Sequence, residues 1–372
     1  MRVLLDVSAI PARPVGAGVY VVNLAGALNE AAELDLALLA RKDDTERWRD
    51  LAPRAQVLAI APLRRPARLA WEQTSAPRVA SRFDAWHGPH YTLPLRAPIP
   101  TVVTVHDMTF FDRPEVHERA KVLYFRRMIA AAVARAAVVV AVSEHTAAGL
   151  RKRFPSIRNL MAIPHGVDHH RFRPDGNEGD DLELLRAHGI RPPYVGYLGT
   201  IEPRKNLPNL VRAFSEVARD RPELRLVLAG RDGWGAPDVR HAIEASGVAT
   251  RVMRPGYLPD AVIPAFLRRA AAVAYPSFEE GFGLPVLEAM ACGAPVVTST
   301  NSATAEVADD AALLVDPTDT AALAVALSKL LDDPSTSSRL RARGVDRARE
   351  YTWAASADAH VAAYKLAMEA SR

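Results

Sequence analysis

The chain has 372 residues, 49% of them hydrophobic, with a formal net charge of +4 and a single cysteine, Cys292. Single cores stop growing near roughly 250–300 residues, so two domains are expected. One cysteine excludes an intrachain disulfide and suits a reducing compartment. No apolar run reaches the roughly 18–20 residues of a membrane span, and the longest candidate, 130–142, is broken by Arg135. The opening six residues meet a charge at Asp6, too early for the apolar region of a signal peptide, so a soluble, cytoplasmic protein is expected.

The charge is uneven. Residues 1–175 carry about 25 Lys and Arg against about 17 Asp and Glu, and the remainder is net acidic. Arg64, Arg65, Arg68, Arg126, Arg127, Arg151, Lys152 and Arg153 supply much of the excess. Two readings stay open: a face that meets an anionic membrane or a phosphate-bearing acceptor, and an arginine-rich solvated surface. Nucleic acid is disfavoured, because the basic residues are not interleaved with aromatics, which make up only 6% of the chain.

In chain order, short apolar runs alternate with segments of helical period. Runs at 3–7, 36–40, 57–60, 101–105 and 138–142 read as strands, and 19–31 and 123–134 as helices between them. Pro, Gly, Asn and Asp gather at 171–181, as in a linker. The alternation then resumes with strands at 194–198, 226–229, 273–275 and 296–298 and helices at 207–218, 261–269 and 285–291. The stretch 321–370 is mostly helical, interrupted at Asp333-Pro334. Such βαβ alternation predicts parallel sheets. The expectation is two doubly wound, Rossmann-like α/β domains facing each other across a cleft.

Ligands of such sheets sit at the carboxyl ends of the strands, and four polar clusters fall there. The first is Arg13-Pro-Val-Gly16-Ala-Gly18. Its two glycines let backbone approach a ligand, but a third dinucleotide-type glycine would fall at Val21, and a plain tight turn is equally compatible. The second is His106-Asp107, where the imidazole could orient a reacting oxygen and the acid fix its tautomer, or the histidine could simply end a strand. His87 and His90 follow another apolar segment and are expected to line the same cleft.

The third cluster is Gly199-Thr-Ile-Glu-Pro-Arg204-Lys205-Asn206. Two cations just before a helix oppose its dipole unless an anion joins them, which points to a diphosphate clamp. The fourth is Glu280-Gly281-Phe282-Gly283-Leu284 leading to Glu288, a strand–loop–helix junction with two carboxylates. Unpaired amides at a helix start suit phosphate, and carboxylates accept from sugar hydroxyls. A glycosidase acid/base pair is the competing reading of the two glutamates. No metal site is expected: there is no Asp-x-Asp, no cysteine pair and no His-Glu-x-x-His.

At these residues the chain resembles the retaining GT-B glycosyltransferases of family 4, the glycosyl transferases group 1. The most specific part is the run from Pro276 to Val297, supported by 199–207 and by Pro164-His-Gly-Val-Asp168. The form is similar to that of bacterial mannosyl- and rhamnosyltransferases. The resemblance implies an acceptor-binding domain at 1–175, with the C-terminal helix 355–372 packing back on it, and a nucleotide-sugar domain at 176–354. It implies that Arg204 and Lys205 neutralise the donor diphosphate. Glu280 would read the donor sugar, with the backbone from Gly281 to Leu284 beside it, and Glu288 would bind the ribose. His106 would lie near the reacting centre, and Gly16 and Gly18 would close over the phosphates. Two departures stand out: Thr200 where many members carry Arg, and His165 where Asn is common.

The resulting expectation is a metal-independent retaining transferase with no bound cofactor. Its donor would be a sugar nucleotide, GDP-mannose first and a UDP- or dTDP-sugar second, and its acceptor a glycan or lipid-linked molecule. The residues show no nucleophile for a double displacement, so stabilisation of the leaving group would carry catalysis. A GT-B sugar-nucleotide epimerase, a phosphorylase and a non-catalytic binding module are the competing classes.

Overall fold

The structure is a computed structural model that describes residues 1–371. The chain forms two compact units, one of Met1–Gly166 together with the segment from Thr352 on, the other Val167–Tyr351. The division precedes the boundary expected at 175/176. The proline- and aspartate-rich segment expected as a linker is built into the second unit. There Asp181 is buried and accepts from Arg268 Nη2 at 2.7 Å and from Arg269 Nε at 2.8 Å.

The first unit holds a seven-stranded parallel sheet. Its strands are β1 (Arg2–Asp6), β2 (Asp35–Arg41), β3 (Gln56–Ala61), β4 (Ala85–Gly88), β5 (Thr101–Val105), β6 (Val138–Ala141) and β7 (Leu160–Ala162), in the order β3-β2-β1-β4-β5-β6-β7. Apolar runs suit strands covered on both faces. Val3 and Leu5 join one core with the helix Ala17–Asn29 and the C-terminal helix Trp353–Glu369. Leu4 and Leu39 point into the other, with the helix Arg119–Arg135. Each fully buried leucine of this kind is worth about 1.5–3 kcal/mol.

The second unit repeats the plan with six parallel strands. They are β8 (Tyr194–Leu198), β9 (Arg225–Ala229), β10 (Val252–Gly256), β11 (Ala272–Tyr275), β12 (Val296–Ser299) and β13 (Leu313–Val315), in the order β10-β9-β8-β11-β12-β13. In each sheet the connections leave in opposite directions from one pair of neighbours, β1 and β4 in the first and β8 and β11 in the second. Those pairs are the topological switch points, where a crevice opens at the carboxyl ends of the strands.

Four strands carry too little pattern to be read from sequence. β7, β10 and β13 are edges, and β10 contains Arg254 and Pro255, which only an edge strand tolerates. β4 is central, yet its Ala85-Trp-His-Gly is no aliphatic run even though all four residues are buried.

Candidate functional site

At the switch point of the second sheet two loops meet. The loop after β8 makes one 3-10 turn at Pro203–Lys205, and Asn206, in the left-handed region at φ 56, starts the helix Leu207–Val217. Asn206 Nδ2 and Asn209 Nδ2 both donate to the Pro317 carbonyl, at 2.6 and 2.9 Å, which pins that helix start. The loop after β11 runs through Glu280 to Gly283 and into the helix Leu284–Ala291. The amide of Phe278 donates to the Arg204 carbonyl at 2.8 Å, so the loops are tied by backbone. Gly283 sits at φ 106, and a Cβ there would come within 2.7 Å of Thr304 Cγ2. Only glycine serves at this turn.

The junction brings Arg204, Lys205 and Glu280 together. Glu280 is 6% exposed, and its Oε2 accepts from Arg204 Nη1 at 2.7 Å. Its Oε1 accepts from Lys205 Nζ. Arg204 Nε also donates to Glu202 Oε2 at 3.0 Å. The buried Lys205 ammonium lies 5.1 Å from the centre of the Tyr275 ring, which stacks on Tyr197 with centroids 5.1 Å apart. Burial alone would raise the Glu280 carboxyl, but facing Arg204 and Lys205 outweigh it and hold the group at about 2. Burial and then Arg204 push Lys205 below the usual lysine range, against Glu280.

Two cations before a helix demand an anion, and in this structure Glu280 supplies one. Glu280 is therefore first a counter-ion that sets the two cations, with both its oxygens engaged.

Glu288 differs. It is half-buried in the helix Leu284–Ala291, and among the described residues its carboxylate accepts no hydrogen bond. Burial pushes its carboxyl up to about 7, Arg171 opposing and Asp260 adding to the rise. No side chain caps this helix, no acid stands in its first turn, and Pro285 occupies an early position. The positive end of this helix is thus met by no side-chain cap and no first-turn acid.

His106, Gly16 and Gly18 belong to the first unit. Gly16 precedes the helix Ala17–Asn29 at φ 51 with nothing within 4 Å of a notional Cβ, and no side chain caps that helix either. His106 is buried, and its Nε2 donates to the Pro89 carbonyl at 2.7 Å, leaving Nδ1 as the acceptor nitrogen. The carbonyl, not Asp107, fixes this tautomer: Asp107 Oδ1 accepts from Thr109 N at 3.0 Å and Thr109 Oγ1 at 2.6 Å. Burial lowers the His106 pKa, against the pull of Pro89 and Asp107, so the ring is neutral at pH 7.

His87 does not line a crevice. It is fully buried in β4, with Nδ1 2.8 Å from Tyr364 Oη and Nε2 2.8 Å from Thr104 Oγ1. His90 is half-buried, its ring 5.7 Å from that of His106. His165 packs on Tyr20 with centroids 4.6 Å apart and stacks on Trp353 at 5.9 Å.

The family described as Glycosyl transferases group 1 matches residues 183–349, and Glycosyltransferase Family 4 matches 14–171. The O-antigen chain mannosyltransferase B of Escherichia coli is 31% identical over 283 residues, covering 76% of this chain and 74% of its own length. The chain belongs to glycosyltransferase family 4. A second relative, the D-inositol 3-phosphate glycosyltransferase of Salinispora tropica, is 31% identical over 313 residues, 76% of this chain and 63% of its own. Among solved structures, Anabaena Alr3699/HepE in complex with UDP and glucose superposes with a TM-score of 0.80 at 19% identity over 98% of this chain and 99% of that one. The sucrose-phosphate synthase of Thermosynechococcus elongatus gives 0.78 at 23% identity, over 98% of each. The fold is GT-B, and the protein is a glycosyltransferase.

In this family 4 member several site neighbours escaped sequence reasoning. Tyr197 and Tyr275 form the platform under Lys205, and alternation along β8 and β11 was the only available signal. Arg171 and Asp260, whose charges act on Glu288, come from distant segments and carried none. Arg171 Nη2 donates to the Asp260 carbonyl at 2.8 Å. Glu72 is another buried acid without a sequence mark. Thr92 Oγ1 donates to it at 3.2 Å, and burial, with Asp6 adding, pushes it up to about 8.

Proposed function

We propose that this glycosyltransferase moves a hexose from a sugar nucleotide to a hydroxyl of a glycan or lipid-linked acceptor, with retention of anomeric configuration and without a metal ion. The observation that carries this is the Arg204–Lys205–Glu280 cluster beside the uncapped helix start at Gly283. Arg204 and Lys205 would meet the diphosphate as its bond to the anomeric carbon breaks, exchanging part of their contact with Glu280 for the leaving oxygens. Glu280, released in part, then accepts from the sugar hydroxyls, with the backbone of Gly281 to Leu284 beside them. Glu288 accepts from the ribose hydroxyls. The acceptor oxygen attacks the same face of the sugar that the diphosphate leaves, and its proton passes to the departing diphosphate oxygen. His106, neutral and with its Nε2 proton engaged, presents Nδ1 as a hydrogen-bond acceptor for a hydroxyl at the reacting centre. Gly16 and Gly18 give the first unit a backbone approach to the donor phosphates, and the acceptor falls to that unit.

Mannose from GDP-mannose is the favoured donor, supported by the O-antigen chain mannosyltransferase at 31% identity. A UDP-sugar is the second reading, supported by the UDP complexes of the Anabaena neighbour. No helix among the described residues is long and apolar enough to cross a membrane. A cytoplasmic enzyme whose basic first unit works beside an anionic membrane face fits this reading.

Calorimetry with GDP, UDP and dTDP, with and without EDTA, tests the donor. One binder at micromolar affinity, unchanged by EDTA and lost in Lys205→Ala, is expected. Binding that requires a divalent ion would remove the metal-independent reading. Proton NMR of the first product formed tests the anomeric outcome, and an inverted product would refute retention.

A further inference from the structure

The amino end of the second sheet, opposite Arg204 and Lys205, carries a second concentration of positive charge. An open groove of about 580 Å³ lies there. One wall is a single face of the helix Pro334–Arg349: Ser338, Arg341, Ala342, Val345, Asp346 and Arg349 recur at intervals of three and four residues. The other wall includes Arg268 and Arg269, from the end of the helix Ile263–Arg268.

Four guanidinium groups therefore line the groove, and carboxylates act on three of them, Asp175 on Arg268 included. Arg268 and Arg269 share Asp181. Glu178 reaches Arg269 only at 3.9 Å and is itself exposed. Arg349 pairs with Asp346 at 2.7 Å. Among the described residues Arg341 has no carboxylate partner. Its half-buried guanidinium donates to the carbonyls of Gly293 at 2.7 Å and Ala270 at 3.4 Å, which carry partial charges only. Burial is the one influence on its pKa, and it lowers it. A half-buried cation with neutral partners, beside three more, is an arrangement that an oxyanion completes. The groove is not a redox centre, because burial pushes the Cys292 thiol up to about 12.

We propose that this groove is a second anion-binding site of the second unit, taking a small phosphate-bearing anion such as a phosphate monoester or diphosphate. Arg341 is its centre, and Arg268, Arg269 and Arg349 provide the field. Planar guanidinium forks converging from two helices suit a tetrahedral oxyanion better than a carboxylate-rich or apolar ligand. The site is independent of the donor reading, because no residue is shared with Arg204, Lys205 and Glu280.

Titration calorimetry of the intact chain with pyrophosphate at low salt tests it, using Arg341→Gln, Ala342→Glu and Lys205→Ala as separate variants. Ala342 is exposed on the helix, so a glutamate there places negative charge in the groove without touching the core. The native chain is expected to bind pyrophosphate at two sites. Arg341→Gln and Ala342→Glu should each weaken one site at least tenfold and leave the other, and Lys205→Ala should do the reverse. A native chain with one site, removed by Lys205→Ala, overturns the proposal. So does loss in Arg341→Gln with native binding in Ala342→Glu, which would make Arg341 a cap for two helix ends and nothing more.

Discussion

The two units differ in what they bury at their centres. The first carries a neutral network, beside one ion cluster of Asp44 with Arg41 and Arg47. His360 Nδ1 donates to the Ser356 carbonyl at 2.7 Å, so its Nε2 accepts from Tyr20 Oη at 2.9 Å. Tyr20 then accepts from Thr104 at 3.1 Å, Thr104 from His87 Nε2 at 2.8 Å, and His87 Nδ1 from Tyr364 at 2.8 Å. Every bond has one direction, and the chain of bonds begins and ends on the C-terminal helix. The second unit buries two ion clusters, Glu280 with Arg204 and Lys205, and Asp181 with Arg268 and Arg269. A neutral network specifies packing at little electrostatic cost, whereas a buried ion cluster is worth keeping where a charged ligand must be met.

Acid should break this contrast most strongly. His87, His90, His106, His165 and His360 are all held below their ordinary 6.5, chiefly by burial, with His90 and His360 at about 4. A depressed histidine contributes stability that is present above pH 6.5 and lost as pH falls toward the folded value, at ~1.4 kcal/mol per pH unit for each. Glu72, raised to about 8, acts in the opposite sense between pH 4.5 and 8, and Asp6, raised by burial, does the same above 3.8, but they are two groups against five. The ion clusters of the second unit weaken only below about pH 4.5, as Glu280 moves toward its folded value of about 2. Buried Trp48 and Trp86 report the first unit. Their fluorescence transition should begin near pH 6, with exposed Trp234 of the second unit unmoved until lower pH. A single transition common to all would contradict the comparison.

Lys205→Ala comes next. It leaves Glu280 buried with one partner fewer, a loss of about 3–5 kcal/mol in the second unit. Nucleotide affinity should fall by at least about a hundredfold, which calorimetry reads. Retained affinity would mean that the clamp is structural.

Tyr364→Phe is the matching test in the first unit. It strands His87 Nδ1 and should cost about 1–3 kcal/mol, lowering the first unit's melting transition with nucleotide affinity unchanged. An unchanged melt would show that the neutral network is dispensable.

Glu288→Gln should have the smallest effect. With its carboxyl at about 7, nucleotide binding should strengthen up to about tenfold between pH 6 and 8 as the carboxylate forms. The glutamine variant should flatten that profile and leave stability near native. A profile that keeps its slope in the variant would assign the titration to another group.

Much of the site was legible early because its parts are local. The junction from Tyr275 to Glu288 is one strand, one turn and one helix, and Gly283 fits only there. Arg204 and Lys205 were visible as an electrostatic conflict, and the conflict is real. Its resolution was not visible, because Glu280 reaches those cations across separations of 76 and 75 positions in sequence. The same holds for His87, whose core position depends on Tyr364 at a separation of 277.

Sequence alone determined the α/β class, the two-unit plan and the family, since period, turn chemistry and motif spacing are properties of neighbouring residues. Tertiary structure alone decided which charges cancel, which histidines are core and where one unit gives way to the next. Those outcomes depend on burial and on contacts between segments far apart in the chain. A linear pattern cannot express the dielectric environment that such contacts create.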